Sequence, residues 1–156
     1  MTEPASYEYR TRQIAPGDPS CGFRSGTHAL DDYFRRHALG NDRGDIGRAY
    51  VVEASAEERA AGLPSVLGFY TISMATVASN EAASALSRRL PRYPMPVALI
   101  GRLAVDERAR GRRLGEALLI DALARAVAAA RMVACLGVIV AAKDAAVAEE
   151  ITGKLD

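Results

Sequence analysis

Cysteine, histidine and long apolar runs are scarce in this sequence, and each scarcity excludes a class of protein. The two cysteines, Cys21 and Cys135, lie far apart with no second Cys or His at ligand spacing, so neither a disulfide framework nor a metal site is expected. No apolar run reaches the roughly 18 residues that a membrane-spanning helix needs. The first residues, MTEPASYEYR, lack the basic-then-apolar order of a secretory signal. We therefore predict a cytoplasmic protein.

The net charge is only +1, but the positive charges are unevenly distributed. The 20 Lys and Arg oppose 19 Asp and Glu, so no global field attracts nucleic acid or lipid. Only Lys143 and Lys154 are lysines, which makes the other 18 cations arginine, the planar donor that suits phosphate. Residues 88–113 hold eight Arg against two acids, a local excess of +6. This segment is the first candidate for function.

Composition and periodicity predict one globular domain, residues 1–156, with mixed secondary structure. Hydrophobic residues make up 49% of the chain, enough for a buried core. The patterns predict an edge strand over 7–14, a helix from Thr27 that Gly40 closes, strands over 48–54 and 65–74, and a helix capped by Asn80 that stops near Leu90.

The second half of the chain predicts a β-α-β unit. Residues 97–105 and 136–141 are apolar on both parities, which is typical of strands covered on both faces. The intervening residues 115–131 have an apolar stripe at helical spacing. The charged residues of this helix are expected to face outward: Glu116, Asp121, Arg125 and Arg131. Strands joined in this way normally pair in parallel.

The turn between the first of these strands and the helix predicts an anion site. It reads Arg110-Gly111-Arg112-Arg113-Leu114-Gly115 and lies where first-turn N–H groups have no intrahelical partner and the helix dipole is positive. The glycine spacing fits neither a Rossmann fingerprint nor a P-loop. A basic surface turn without a ligand is the alternative.

The segment IGRLAVDERARGRRLGEALLIDAL resembles motif A of the GNAT acetyltransferases, in which a Q/R-x-x-G-x-G/A turn cradles the pyrophosphate of acetyl-CoA. Arg113 stands where the middle glycine is usual. The resemblance narrows to the tRNA-acetylating toxins of toxin–antitoxin systems through the helix ALDDYFRRHA, the strands RAYVV and GFYTIS, and RYPMPVALIGRLAVD.

This resemblance implies a fold, a cofactor and partners. The fold is a GNAT-like mixed α/β sheet, antiparallel on its N-terminal side, with helices on both faces. The cofactor is acetyl-CoA, and its contacts would be Leu103, Ala104, Val105, Arg110, Gly111, Arg112, Arg113, Leu114 and Gly115. The partners are an aminoacyl-tRNA acceptor, a ribbon-helix-helix antitoxin and a second copy in a homodimer. Arg88, Arg89 and Arg92 would bind the tRNA backbone, with a merely solvated cationic face as the alternative.

The C-terminal residues depart from the toxin pattern. These toxins typically continue AKD-x-x-A-x-x-FY, and Glu150 and Ile151 occupy the Phe-Tyr positions, so the tyrosine that protonates the departing thiolate is missing. We expect a C-terminally truncated domain without its final strands, and name no catalytic residue. Two other functions stay open: an acetyltransferase for a small-molecule or protein amine, and a non-catalytic CoA-binding or antitoxin-binding remnant.

Overall fold

The computed structural model describes residues 9–141, which contain five strands and five helices. Two 3₁₀ turns, Asp18–Ser20 and Glu107–Ala109, connect them. The strands are β1 Thr11–Gln13, β2 Arg48–Glu53, β3 Val66–Val77, β4 Met95–Val105 and β5 Val138–Val140. The helices are α1 His28–Arg36, α2 Ala38–Arg43, α3 Ala56–Ala60, α4 Ser79–Leu86 and α5 Leu114–Met132. None of the helices within 9–141 has both the length and the apolar character needed to cross a bilayer.

The strands form one mixed sheet in the order β1-β2-β3-β4-β5. The first four strands pair antiparallel, and β4 pairs with β5 in parallel through Ala98–Ile100. The mixed sheet, the edge position of β1 and the parallel β-α-β unit are therefore confirmed. The expected loss of the final strands concerns residues 142–156, and these, with Glu150 and Ile151, lie outside the described part of the chain.

Helices cover both faces of the sheet, as predicted. On one face α5 buries Leu114, Leu118, Ala122 and Ala126 against Leu67, Tyr70, Ile100 and Val138. On the other face α1 and α2 bury Tyr33, Phe34 and Ala38 against Val51 and Phe69. The two cores place α1 and α5 on opposite sides of β4.

The structure corrects the predicted bounds of two helices between residues 27 and 90. Gly40 does not close the first helix, because the helix breaks at His37 and continues as α2 to Arg43. Buried Asp42 holds α2 in place by accepting hydrogen bonds from the Gln13 side chain and the Ala49 amide. Tertiary contacts thus carry the chain past a residue that often ends helices.

The second correction concerns α4, which follows β3. The connection between β2 and β3 contains the short helix α3, whose N-cap Ser55 and Glu58 form a reciprocal capping box. Asn80 lies inside α4 rather than capping it, and the helix ends at Leu86 instead of near Leu90 because Ser87 adopts a left-handed conformation. The capping-box spacing was visible in the sequence, whereas the turn at Ser87 had no such signal.

Two charged residues of α5 that were expected to face outward instead contact the sheet. Asp121 accepts hydrogen bonds from the Tyr70 hydroxyl at 2.5 Å and from Thr11 Oγ1 at 2.9 Å. Arg125 stacks on the Tyr50 ring, with Cζ 3.8 Å from its centroid. Burial, together with the hydrogen bond to Asp121, raises the pKa of Tyr70 well above its ordinary value, so its hydroxyl stays protonated and keeps donating.

Candidate functional site

The predicted anion turn connects the end of β4 to the start of α5 through two residues with positive φ. Gly111 has φ +84°, and Arg113 has φ 57° and ψ 26°, which places it in the left-handed region at the N-cap of α5. Arg113 therefore adopts the backbone conformation that glycine usually provides at this position. The first-turn amides of α5, beginning at Leu114, have no intrahelical acceptors and form the N-terminal end of a 19-residue helix.

Most arginine side chains of the turn bind protein groups. Arg110 donates to the Ser25 carbonyl. Arg112 donates to Glu58 at 2.7 Å, and its pKa is raised by its interactions with Tyr9 and Glu58. The Arg113 side chain, in contrast, is 77% exposed, and its nearest acid is 3.9 Å away. Cofactor contacts of Arg110 and Arg112 stay predictions, and Arg113 is the arginine that the fold leaves most open.

Asp106, which sequence reasoning did not single out, fixes the start of the turn. Its side chain is completely buried and accepts hydrogen bonds from the Arg24 amide at 3.0 Å and from the Arg108 amide and guanidinium at 2.8 to 2.9 Å. Burial opposes ionisation, but the bonds from Arg108 and Arg24 outweigh it and lower the pKa of Asp106. The carboxylate thus joins the turn to the loop that precedes α1.

The last residues of β4 expose backbone amides on the side where β5 lies. The Asp106 amide donates to the Leu67 carbonyl at 2.8 Å, and hydrogen-bonded pairs alternate along an antiparallel ladder. Leu103 and Val105 pair with Tyr70 and Gly68 in this register, so their amides point away from β3. Within residues 9–141, β5 pairs only with Ala98–Ile100, and no strand covers these two amides.

A bulge at Gly101 determines which face of the sheet the following side chains of β4 occupy. Thr71 is opposite Arg102 while Ile72 is opposite Ile100, so β4 has one extra residue at this point. After the bulge Leu103 and Val105 pack toward α5, and Ala104 is buried toward α1. Of the three predicted strand contacts, Leu103 and Val105 therefore have amides that no strand within residues 9–141 covers, whereas the backbone of Ala104 belongs to the β3 ladder.

The three arginines predicted to bind RNA line one cavity before β4. Arg88, Arg89, Arg92 and Tyr93 surround a space of about 630 Å³ together with the start of α4. None of these three arginines takes part in an ion pair of the described residues, and Tyr93 is 64% exposed. Arg35 and Arg36, in contrast, both pair with Asp32 on α1. The structure thus brings the predicted patch together as an unneutralised surface.

Other chemistry finds little support in the described part of the chain. Among residues 9–141 no group of three or more His, Cys, Asp or Glu side chains could hold a metal ion. Cys21 and Cys135 are free and partly buried. The partly exposed carboxylate of Glu53 is paired with Arg12 at 3.0 Å. The open groups are backbone amides and arginine side chains, a combination that suits phosphate and a developing oxyanion.

Comparison with known proteins finds relatives in sequence and in structure. A tRNA-acetylating toxin of Mycobacterium tuberculosis is 37% identical over 129 residues, which cover 83% of this chain and 72% of the relative. The toxin AtaT complexed with acetyl-methionyl-tRNAfMet superposes with a TM-score of 0.72 at 24% identity, covering 90% of this chain and 81% of that one. A point mutant of the toxin KacT superposes at 0.69 and 24% identity, with coverages of 88% and 80%. No family model matches the chain.

Proposed function

We propose, from the premise that this chain belongs to the GNAT-fold family of tRNA-acetylating toxins, that it transfers the acetyl group of acetyl-CoA to the amino group of an aminoacyl-tRNA. The observation that carries the proposal is the turn from Arg110 to Gly115. There a left-handed Arg113 reproduces the glycine conformation and exposes the N-terminal amides of a long helix.

The cofactor lies along β4 in this proposal. The turn binds the pyrophosphate through backbone amides of α5 and the open Arg113 side chain. The pantetheine arm follows the edge of β4 and bonds to the free backbone groups of Leu103 and Val105. AtaT has been solved with acetyl-CoA bound, at 22% identity and a TM-score of 0.68 to this chain, so a related fold accommodates the same ligand.

The chemical step needs positioning more than a nucleophilic side chain. The lone pair of the neutral acceptor amine attacks the thioester carbonyl, and the amide of Leu103 or Val105 hydrogen-bonds the oxygen as negative charge develops on it. The C–S bond then breaks, the amine loses its proton, and the departing thiolate gains one. Because the site holds both reactants together, proximity supplies much of the rate. We assign no residue to either proton transfer.

The acceptor binds through the arginine patch, Arg88, Arg89 and Arg92, whose cavity faces solvent. Unpaired guanidinium groups beside an exposed tyrosine suit a phosphodiester backbone and a stacked base. β4 rises about 3.3 Å per residue, so its 11 residues place this patch about 35 Å from the pyrophosphate turn, with the acetyl position between them.

The proposal also includes an antitoxin partner, a homodimer and a cellular location. We place the chain in the cytoplasm as a homodimer that a ribbon-helix-helix antitoxin neutralises. AtaT has been solved with the C-terminus of its antitoxin AtaR, and a KacTA–DNA complex is also similar to this chain, with TM-scores of 0.68 and 0.65.

Transfer from labelled acetyl-CoA to a pool of aminoacylated tRNA tests the function. The amide product should survive at the RNA 3′ end until the ester is hydrolysed, which then releases N-acetyl amino acid. Deacylated tRNA and free amino acids are the matched controls, and they should accept no label. Transfer only to free amines would support a small-amine enzyme, and CoA binding without any transfer would support a remnant.

A further inference from the structure

Arg102, an exposed residue of β4, is next to the proposed acetyl position. Its side chain lies on the face of the sheet opposite α5. The bulge at Gly101 turns Arg102 toward α1, while the neighbouring Leu103 packs toward α5. Helices cover both faces of the sheet, but Arg102 is exposed, so an acceptor amine can approach the middle of β4 from the α1 side beside this residue. Arg102 therefore lies on the side from which the acceptor enters.

Tyr33 holds the guanidinium of Arg102 in place. The Arg102 Cζ lies 3.7 Å from the centroid of the Tyr33 ring. That ring is itself fixed: it is 8% exposed, lies parallel to Phe69 within 13°, and its hydroxyl accepts a hydrogen bond from Asn41 Nδ2 at 3.2 Å. A guanidinium stacked in this way loses mobility without using its N–H groups.

Arg102 also lacks an acidic partner, unlike many other arginines. Nine of the 18 arginines pair with a carboxylate within 4 Å among residues 9–141: Arg12, Arg24, Arg35, Arg36, Arg48, Arg108, Arg112, Arg113 and Arg125. Arg102 makes no ion pair or side-chain hydrogen bond in this part of the chain. One flat face of the Arg102 guanidinium stacks on Tyr33, and its N–H groups have no partner within residues 9–141. Such an arrangement suits bidentate binding of a phosphate.

We propose that Arg102, stacked on Tyr33, binds the last phosphodiester of the RNA acceptor and thereby selects an aminoacylated RNA end over a free amine. This inference rests on the proposed function and adds a specificity residue to it. In an aminoacyl-tRNA this phosphate is one ribose away from the aminoacyl ester, so a residue beside the acetyl position can contact it. Free amino acids and small amines carry no such group. The patch of Arg88, Arg89 and Arg92, near the other end of β4, would contact more distant phosphates.

A binding experiment tests this without relying on catalysis. The probes are a deacylated acceptor-stem minihelix ending in CCA and the same RNA with a neutral methylphosphonate at its last internucleotide linkage. The wild-type protein should bind the neutral probe about 10- to 100-fold more weakly, the range expected for losing a charge-assisted contact. Arg102→Gln should bind the normal probe with a similar loss and should not distinguish the two probes.

Two further variants separate this role from packing or general charge. Arg102→Lys keeps the charge but lacks the planar fork, so it should recover part of the discrimination. Arg10→Gln removes another exposed charge beside β1, the strand at the far edge from β4, and should discriminate as the wild type does. An equal preference for the charged linkage in Arg102→Gln and wild type would overturn the assignment, as would wild-type protein that binds both probes equally. Failure of the wild type to bind either RNA would overturn the RNA acceptor together with Arg102.

Acetylation kinetics give a second readout. Arg102→Gln should raise KM for aminoacyl-tRNA while leaving kcat nearly unchanged, since the contact is made equally in the ground state and the transition state. A fall in kcat with unchanged KM would contradict a binding role.

Discussion

The two arginine-rich regions on either side of β4 use the same residue type in opposite ways. In the turn after β4, Arg108, Arg110 and Arg112 bond to a buried carboxylate, a backbone carbonyl and a helix-capping glutamate. In the patch before β4, Arg88 and its neighbours form no ion pair among the described residues and line an open cavity. Arginines in the turn mainly fix its backbone, the part that we propose binds the cofactor, whereas arginines in the patch keep their side chains open to solvent. A local excess of positive charge therefore does not identify which side chains are available.

The largest expected effect is loss of RNA binding when the patch is reversed. Changing Arg88, Arg89 and Arg92 together to Glu should weaken binding of aminoacyl-tRNA at low salt by about three orders of magnitude. Each phosphate contact contributes a slope of roughly −0.7 to −0.9 in log K against log salt, so the slope should flatten by about 2 to 3. Affinity for CoA, measured by calorimetry, should not change, because the turn is at the far end of β4. Wild-type binding that is tight and independent of salt would contradict an RNA-binding patch.

This contrast also indicates what the sequence could and could not predict. Each boundary of the β-α-β unit was predicted to within two residues, since strands buried on both faces and an amphipathic helix leave strong local patterns. The position of the turn followed from them. The partners of its arginines did not, because Ser25 and Glu58 are 85 and 54 residues away in sequence. The bulge at Gly101 was equally hidden, since it depends on the register between β3 and β4.

The next effect concerns the backbone of the turn. A Cβ at Gly115 would lie 3.7 Å from Val105 Cγ2, an ordinary contact, so Gly115→Ala should fold and bind CoA nearly as the wild type does. Gly115→Phe should block the approach of the pyrophosphate to the first-turn amides and reduce CoA affinity by about 100-fold, equivalent to one or two lost charge-assisted hydrogen bonds. Desulfo-CoA should respond in parallel, since the turn does not contact the sulfur. Unaltered CoA binding by Gly115→Phe would remove the turn from the cofactor site.

A smaller effect is expected where the turn is joined to the loop before α1. Asp106→Asn loses the charge that Arg108 and the Arg24 amide bind, and should lower the free energy of unfolding by about 2 kcal/mol at pH 7. The native pKa of Asp106 is below its ordinary value, so its stabilisation is present above the unfolded-state pKa and is lost as the pH falls through the native one. Urea denaturation should therefore show the difference between variant and wild type shrinking below about pH 4.

Asp45→Asn is the matched control for that measurement. Asp45 pairs with Arg48, but its side chain is 77% exposed, so this change should alter stability by less than about 0.5 kcal/mol. Equal effects of the two substitutions would mean that the buried bonds of Asp106 do not distinguish it from a surface carboxylate.

The smallest expected effect concerns Arg113, whose backbone shapes the turn and whose side chain is exposed. Arg113 shapes the turn through its left-handed backbone, and its exposed side chain is also open to a phosphate. A left-handed conformation costs a non-glycine residue about 1 kcal/mol, so Arg113→Gly should stabilise the fold by several tenths of a kcal/mol, the gain being reduced by the greater chain entropy of unfolded glycine. Arg113→Ala keeps the backbone strain and removes only the charge. If the side chain contacts the cofactor, both variants should lose the same few-fold affinity for CoA in calorimetry, while only Arg113→Gly gains stability in thermal unfolding. Equal CoA affinity in all three proteins would mean that the Arg113 side chain does not contact the cofactor.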